Sequence, residues 1–195
     1  MAVEPRSGPT RGDTSTHRRG QAGDQAAGEV RIRPAVDSDA EAIRAIYNHE
    51  VQHSTATFDL VMRSSADQRS WLASRSGAFS VLVAEWKGEV VGFASISPYK
   101  ERAAYRTTVE DSVYVRRDRH GLGIGRALLT ALLDAAEASG FHVVMARIEA
   151  GGTASRALHQ ACGFHLVGIE REVGRKFNRW LDTALMQCLL HERPR

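Results

Sequence analysis

The spacing of apolar residues changes period several times between Val30 and Leu190, and each change marks an element. "VRIRPA" alternates with the period of two expected of a half-buried strand. Asp37 or Ser38 then stands where a helix N-cap belongs, ahead of a stripe of Ile43, Ile46, Tyr47 and Val51 at helical spacing. A second short helix is predicted over 66–75. "SVLVAEWKGEVVGFASIS" reads as two strands folded about a Lys87-Gly88 turn, and "TTVEDSVYV" as the next strand. A glycine-rich turn leads into a long helix over 123–139, ended by Gly140, whose stripe is Ile124, Ala127, Leu128, Ala131, Leu132 and Ala135. "HVVMARIEA" is a strand, "TASRALHQACG" a short helix closed by Gly163, and "FHLVGIERE" and "WLDTALMQCLL" are the last two strands. A long helix between two strands implies a right-handed crossover joining a parallel pair. The expected class is α+β, a mixed, mostly antiparallel sheet with one parallel pair and helices on both faces.

Residues 1–28 fall outside this pattern. They contain no Leu, Ile, Phe, Trp or Tyr, so they bury too little apolar surface to offset their ordering entropy. A disordered N-terminal tail over 1–28 and one domain over 29–193 are therefore expected. The tail's four arginines are largely balanced by Glu4, Asp13 and Asp24, which argues against an arm that grips nucleic acid. A formal net charge of +3 for the chain points the same way and leaves small anionic ligands open. Apolar runs are strand-sized and charges interrupt the helical ones, so no membrane span is expected. The N-terminus has no continuous apolar signal core, and only two cysteines, Cys162 and Cys188, occur. Both fit buried small hydrophobes, and a reducing cytoplasm is the expected location.

Two stretches carry candidate chemistry. "HEVQH" places His49 and His53 about Glu50 at the H-E-x-x-H spacing of zinc peptidases. A third ligand at familiar spacing is missing from the sequence, so a metal role is not expected. The stronger signal is "RHGLGIGRALL", with Gly121, Gly123 and Gly125 between a strand and a helix. Unpaired amides at the positive end of a helix, with glycines that let a ligand approach the backbone, suit a phosphate group. Gly125-Arg126-Ala127 is not the Gly-Lys-Ser/Thr of a P-loop, and Arg126 stands where a dinucleotide fingerprint requires glycine. The pyrophosphate of another carrier remains.

On these residues a resemblance emerges. "RHGLGIGRALL" resembles the coenzyme A turn Q/R-x-x-G-x-G/A of the GNAT superfamily of N-acetyltransferases. "SPYKERAAYRTTVEDSVYV", "LHQACGF" and "GRKFNRWLDTALMQ" resemble the phosphinothricin and methionine sulfone or sulfoximine acetyltransferases of that superfamily. The likeness spans roughly residues 30 to 190. It departs at two places: His120 takes the Q/R position, and Gly152 stands where the family often has asparagine.

The resemblance implies a GNAT-like sheet with its parallel pair near the cofactor, acetyl-CoA as co-substrate, and a homodimer. It implies that Glu110 is the general base and that His159, where many relatives have tyrosine, protonates the departing thiolate. The backbone of Val113, Tyr114 and Val115 would pair with the pantetheine arm. His120, Gly121, Leu122, Gly123, Ile124, Gly125 and Arg126 would hold the pyrophosphate, with Gly152 and Ser155 nearby. Ser155 also fits a helix cap. Asp111, on the opposite strand face from Glu110, is expected to be structural.

For the acceptor, Lys100, Arg102 and Arg106 cluster beside the base strand, and arginine forks match a carboxylate. Phe58 and Tyr105 are candidate pocket walls, and Trp180 a core or dimer contact. The acceptor is expected to be a small amino acid or analogue such as phosphinothricin, methionine sulfone or methionine sulfoximine. A peptide N-terminus, a polyamine, or a non-catalytic coenzyme A sensor are the alternatives.

Overall fold

The computed structural model describes residues 30–75 and 77–193, so the expected tail over 1–28 lies outside the described residues. One seven-stranded sheet has the spatial order β1 (Arg31–Pro34), β2 (Val81–Trp86), β3 (Glu89–Pro98), β4 (Thr108–Val115), β5 (Val143–Glu149), β7 (Arg179–Leu189), β6 (His165–Lys176). Every neighbouring pair is antiparallel except β4 and β5, which run parallel. The crossover that makes them parallel is α3 (Ile124–Ala138), as the long apolar stripe predicts. Helices α1 (Ala40–His53), α2 (Ser65–Ala73) and α4 (Thr153–Ala161) complete the chain.

The sheet buries a different cluster on each face. Leu128, Leu129, Leu132 and Leu133 of α3 pack on Ala94, Ile96, Val109, Val144 and Ala146. Ile43, Ile46, Tyr47 and Val51 of α1 pack with Leu72, Val83 and Phe93 on the opposite face. Alternation along β4 follows: Val109, Asp111, Val113 and Val115 face α3, and Glu110, Ser112 and Tyr114 face α1. The β2–β3 turn is as tight as its sequence suggests, because Lys87 and Gly88 both take left-handed φ values, 52° and 81°.

Helix α1 starts later than its cap signal indicates. Asp37–Asp39 form a 3-10 turn, and the carboxylate that ties the entry is Asp39, not Asp37 or Ser38. It accepts the Val36 N–H at 2.8 Å and a two-pronged bond from Arg33 at 2.7 and 3.0 Å. The Arg33 bond holds the Asp39 carboxyl below the usual range. Arg33 also reaches Glu85 at 2.8 Å, which links β1, β2 and the helix entry.

The β4–β5 pairing is short. Only Thr108, Val109 and Glu110 pair with Val143, Val144 and Met145. Yet β4 stays paired with β3 up to Val115, and β5 stays paired with β7 up to Glu149. The two central strands therefore diverge after Glu110 while each remains anchored on its outer side.

Because Leu132 is fully buried at the centre of the α3 face, Leu132→Ala is expected to lower unfolding free energy by about 2–5 kcal/mol, measured by urea denaturation.

Candidate active site

The split between β4 and β5 opens a cleft of about 680 Å³. Residues 111–115 form one wall, 146–149 the other, and the glycine turn and the start of α4 its ends. Divergence leaves the β5-facing backbone edge of β4 without a strand partner from Asp111 onward. Such an edge accepts an extended amide-bearing chain.

The glycine turn supplies the second feature. Gly121 and Gly123 both have φ +78°, a left-handed conformation that a side chain strains. Gly125 is closely packed: a Cβ there would stand 3.1 Å from a Leu158 methyl, where α3 meets α4. Among the described residues, the amides of Gly121 through Arg126 make no hydrogen bond within the fold, the first intrahelical donor being Ala127 to Gly123 O at 3.0 Å. The neighbouring cations are mostly engaged. Arg116 pairs with Glu89 and Asp118, Arg117 with Glu50, and Arg119 lies 4.2 Å over the Trp86 ring. Arg126, in the first turn of α3 and on the cleft, forms no ion pair among the described residues. His120 turns back and reaches Val115 O at 2.9 Å through Nε2, so its ring closes the turn.

At the point of divergence lies a buried pair. His159 of α4 is 3% exposed. Its Nδ1 lies 2.7 Å from Ser155 O and its Nε2 lies 3.0 Å from Asp111 Oδ2. Burial pulls the imidazole pKa down, but the Asp111 carboxylate and the Ser155 carbonyl outweigh it and leave it above the ordinary value. On the other strand face stands Glu110, three-tenths exposed, with Arg147 of β5 at 3.8 Å. Loss of solvent raises the Glu110 pKa against the opposing pull of Arg147, and Asp111 and Glu170 push it the same way. Two adjacent carboxylates thus face opposite sides of one strand in unlike surroundings.

A helix start with free amides, an open strand edge, and a carboxylate and an imidazole on either face of that strand thus meet at one cleft end. Residues 41–164 match the model of the Acetyltransferase (GNAT) family. The chain belongs to the GNAT acetyltransferase family. It is 42% identical over 158 residues to the phosphinothricin N-acetyltransferase of Alcaligenes faecalis, covering 80% of each chain. It is 42% identical over 161 residues to the L-methionine sulfoximine/L-methionine sulfone acetyltransferase of Pseudomonas paraeruginosa, covering 82% of this chain and 94% of that one. Among solved structures, the phosphinothricin acetyltransferase of Sinorhizobium meliloti in complex with acetyl-CoA superposes with a TM-score of 0.79 at 38% identity, covering 82% and 88% of the two chains. This GNAT enzyme is therefore an acetyl-CoA-dependent N-acetyltransferase, and the free amides, Arg126 and the open β4 edge suit that donor.

The residues singled out in the sequence distribute unevenly about this GNAT cleft. Val113, Tyr114, Val115, His120, Gly121, Gly123, Ile124, Gly125, Arg126, Gly152, Ser155 and His159 all line it. Leu122 does not, and it is 61% exposed. Ser155 is not a cap. Helix α4 starts at Thr153 with Gly152 as N-cap residue, so Ser155 lies inside the first turn and contributes its carbonyl to His159. At Gly152 a Cβ would meet Glu149 O at 3.0 Å. The expected acceptor residues lie elsewhere: Lys100, Arg102 and Tyr105 line a separate surface hollow, with Lys100 4.7 Å over the Tyr99 ring. Arg106 is exposed beside them.

Phe58, in the loop after α1, packs against β6, its ring filling the space above Gly174, where a Cβ would approach to 2.2 Å. Lys176, also on β6, is 4% exposed and donates to Thr57 O at 2.7 Å. Sequence reasoning missed this tether, Asp111 as the partner of His159, and Glu149, which bonds Thr55 at 3.2 Å across the cleft. Each pairing joins residues far apart in the chain, and local patterning holds no sign of it.

The HEVQH stretch resolves into GNAT structure. Glu50 turns inward, bonding Arg117 at 2.9 and 3.0 Å and Ser54 at 2.5 Å, and these bonds outweigh burial to lower its pKa. His49 and His53 stack at 4.6 Å on the exposed side, with His53 Nδ1 3.0 Å from His49 O. The glutamate and the histidines thus point in different directions, and among the described residues no three His, Cys, Asp or Glu side chains converge on a possible metal.

Since Arg147 opposes the upward shift of Glu110, Arg147→Gln is expected to raise the Glu110 pKa further, read as a higher midpoint in an NMR carboxyl titration; an unmoved midpoint refutes the coupling.

Proposed function

We propose that this enzyme acetylates the amine of a small amino acid or analogue of the phosphinothricin, methionine sulfone or methionine sulfoximine type. In this reading Glu110 is the general base and His159 the acid that protonates the leaving thiolate. One observation supports it most: Glu110 and the Asp111–His159 pair lie on opposite faces of β4 where it parts from β5. An amine arriving from the α1 side meets the carboxylate, and a thioester seated in the split meets the imidazole. A lysine-like amine titrates at about 10 and must lose a proton before it attacks. The raised pKa of Glu110 makes it a stronger base, at the expense of activity below that pKa.

The donor is held, in this proposal, by the amides of Gly121 to Arg126 and the Arg126 guanidinium at the pyrophosphate. The β4 backbone from Val113 to Val115 takes the pantetheine arm. Lys100, Arg102 and Arg106 precede β4 but sit at or beside the separate hollow, so the acceptor carboxylate is not assigned to them. Substrates of the relatives, phosphinothricin and methionine sulfoximine or sulfone, each name an amino-acid analogue and support the choice of acceptor.

We further propose a homodimer. Leu166, Val167, Ile169 and Val173 of β6 with Phe177 and Trp180 leave an apolar surface exposed along an edge strand, and Trp180, 62% exposed, is not a core residue. Among the described residues no helix is long and apolar enough to cross a membrane. A cytoplasmic location is proposed on the strength of two unpaired, buried cysteines.

Four measurements test these points. Glu110→Gln is expected to lower kcat by about a hundred-fold or more with acetyl-CoA affinity retained; wild-type turnover removes Glu110 from the chemistry. Arg126→Ala is expected to weaken acetyl-CoA binding by about ten-fold in calorimetry, the scale of one charge-assisted bond. An acceptor panel with thiol detection, spanning amino-acid analogues, N-terminal peptides and polyamines, identifies the amine. Acetyl-CoA binding without acceptor-dependent thiol release supports a sensor instead. For the dimer, Ile169→Glu is expected to give a monomer in analytical ultracentrifugation; a monomeric wild type refutes the assembly.

A further inference from the structure

We infer that Arg147 binds the carboxylate of the acceptor and so sets a preference for amines that carry a carboxylate on the adjacent carbon. The inference rests on the acceptor being an amino acid or analogue and on Glu110 being the base, as proposed above.

Parallel pairing stops at Glu110 on β4 and Met145 on β5. Val144, Ala146 and Ile148 pack toward α3, so Met145, Arg147 and Glu149 point to the other side of the sheet, the side of Glu110. Arg147 is therefore the first side chain on that face of β5 beyond the last paired residue, and it lines the cleft. Its Nε lies 3.8 Å from Glu110 Oε2, too far for a hydrogen bond. Among the described residues this loose pair is its one ion pair, and none of its five N–H groups donates a hydrogen bond.

The other charged groups along the opening are committed. Of the arginines that line it, Arg117 grips Glu50 with two bonds and Arg119 covers the Trp86 ring. His120 reaches Val115 O, and both ring nitrogens of His159 are taken up by Ser155 O and Asp111. Glu149 accepts the Gly151 amide at 2.9 Å and the Thr55 hydroxyl at 3.2 Å. Lys176, behind the loop after α1, donates to Thr57 O. Two guanidinium groups of the cleft are left uncommitted, Arg126 at the glycine turn and Arg147 beside Glu110. The first suits the phosphates of the donor, and the second remains for the acceptor.

The spacing at Glu110 fits an α-amino acid. Two bonds separate its amine nitrogen from its carboxyl carbon, which places the nitrogen about 3 Å from the nearer carboxylate oxygen. An oxygen bonded to the guanidinium and a nitrogen bonded to Glu110 then bridge the 3.8 Å gap without strain. The planar fork of arginine also matches a carboxylate. The contact acts on the base as well. Arg147 pulls the Glu110 pKa down, and a carboxylate laid on the guanidinium offsets that pull, so the base is strengthened when the acceptor is seated. An amine without a carboxylate gains neither effect.

The test compares L-methionine sulfone with its carboxamide, which keeps the amine and the side chain but carries no carboxylate, in wild type, Arg147→Ala and Arg147→Lys. With methionine sulfone, Arg147→Ala is expected to lower kcat/KM by about ten- to hundred-fold, the scale of a hydrogen bond between charged groups, chiefly through KM. With the carboxamide the loss is expected to be smaller by about ten-fold. Any effect passed through Glu110 is shared by the two acceptors and cancels in the comparison. Arg147→Lys keeps the charge without the fork and is expected to fall between the other two proteins. Equal losses on both acceptors confine Arg147 to tuning the base and overturn the inference, as does an unchanged KM for methionine sulfone. The wild type supplies a readout that needs no variant: methionine sulfone is expected to shift the Arg147 Nε–H resonance in an NMR spectrum and the carboxamide to leave it in place, and a resonance that neither moves overturns the inference. Transfer to polyamines or peptide N-termini but to no amino acid refutes the acceptor reading itself, whereas transfer to methionine sulfone that is indifferent to Arg147 refutes only this residue.

Discussion

The parting of β4 from β5 is the constraint on which the site depends. A parallel pair inside an antiparallel sheet is held together by three residues on each strand, and beyond them each strand belongs only to its outer neighbour. Backbone groups that would ordinarily bond across the sheet are left for another chain to satisfy. An unpaired edge at the centre of a sheet, not at its rim, lies beside a packed core and is shielded on both sides. The glycine turn completes the arrangement, since α3 begins where β4 ends and points its free amides into the same opening.

That geometry also sorts two neighbouring carboxylates by environment. Glu110 and Asp111 differ by one methylene and one position, yet the strand's alternation sends one toward a partly solvated face with a distant arginine and the other into contact with a buried imidazole. Loss of solvent raises the pKa of one carboxylate, and the other is bonded to an imidazole. A single strand thus gives two adjacent carboxylates unlike surroundings.

The order of elements, the parallel crossover, the β2–β3 turn and the glycine loop were all readable from periodicity and turn residues, because each is a local decision of the chain. The alternation that separates Glu110 from Asp111 was readable too. What escaped was long-range: His159 and Asp111 are 48 positions apart, and Glu50 and Arg117 are 67 apart. The start of α1 was misplaced for a related reason, since Arg33 recruits Asp39 from outside the helix and overrides the nearer capping candidates. The HEVQH spacing was set aside for want of a third ligand. It fits a helix face, but the inward-turning Glu50 shows that its side chains are divided between core and solvent.

Phe58 lying over Gly174 connects two regions that sequence separates widely. The loop after α1 is shaped by a bare spot on β6, and Lys176 fastens the same loop two residues further along that strand. The loop that follows α1 is therefore pinned at two points by a single hairpin, so a side chain added at Gly174 or shortened at Lys176 would displace the Thr57–Phe58 segment as a unit.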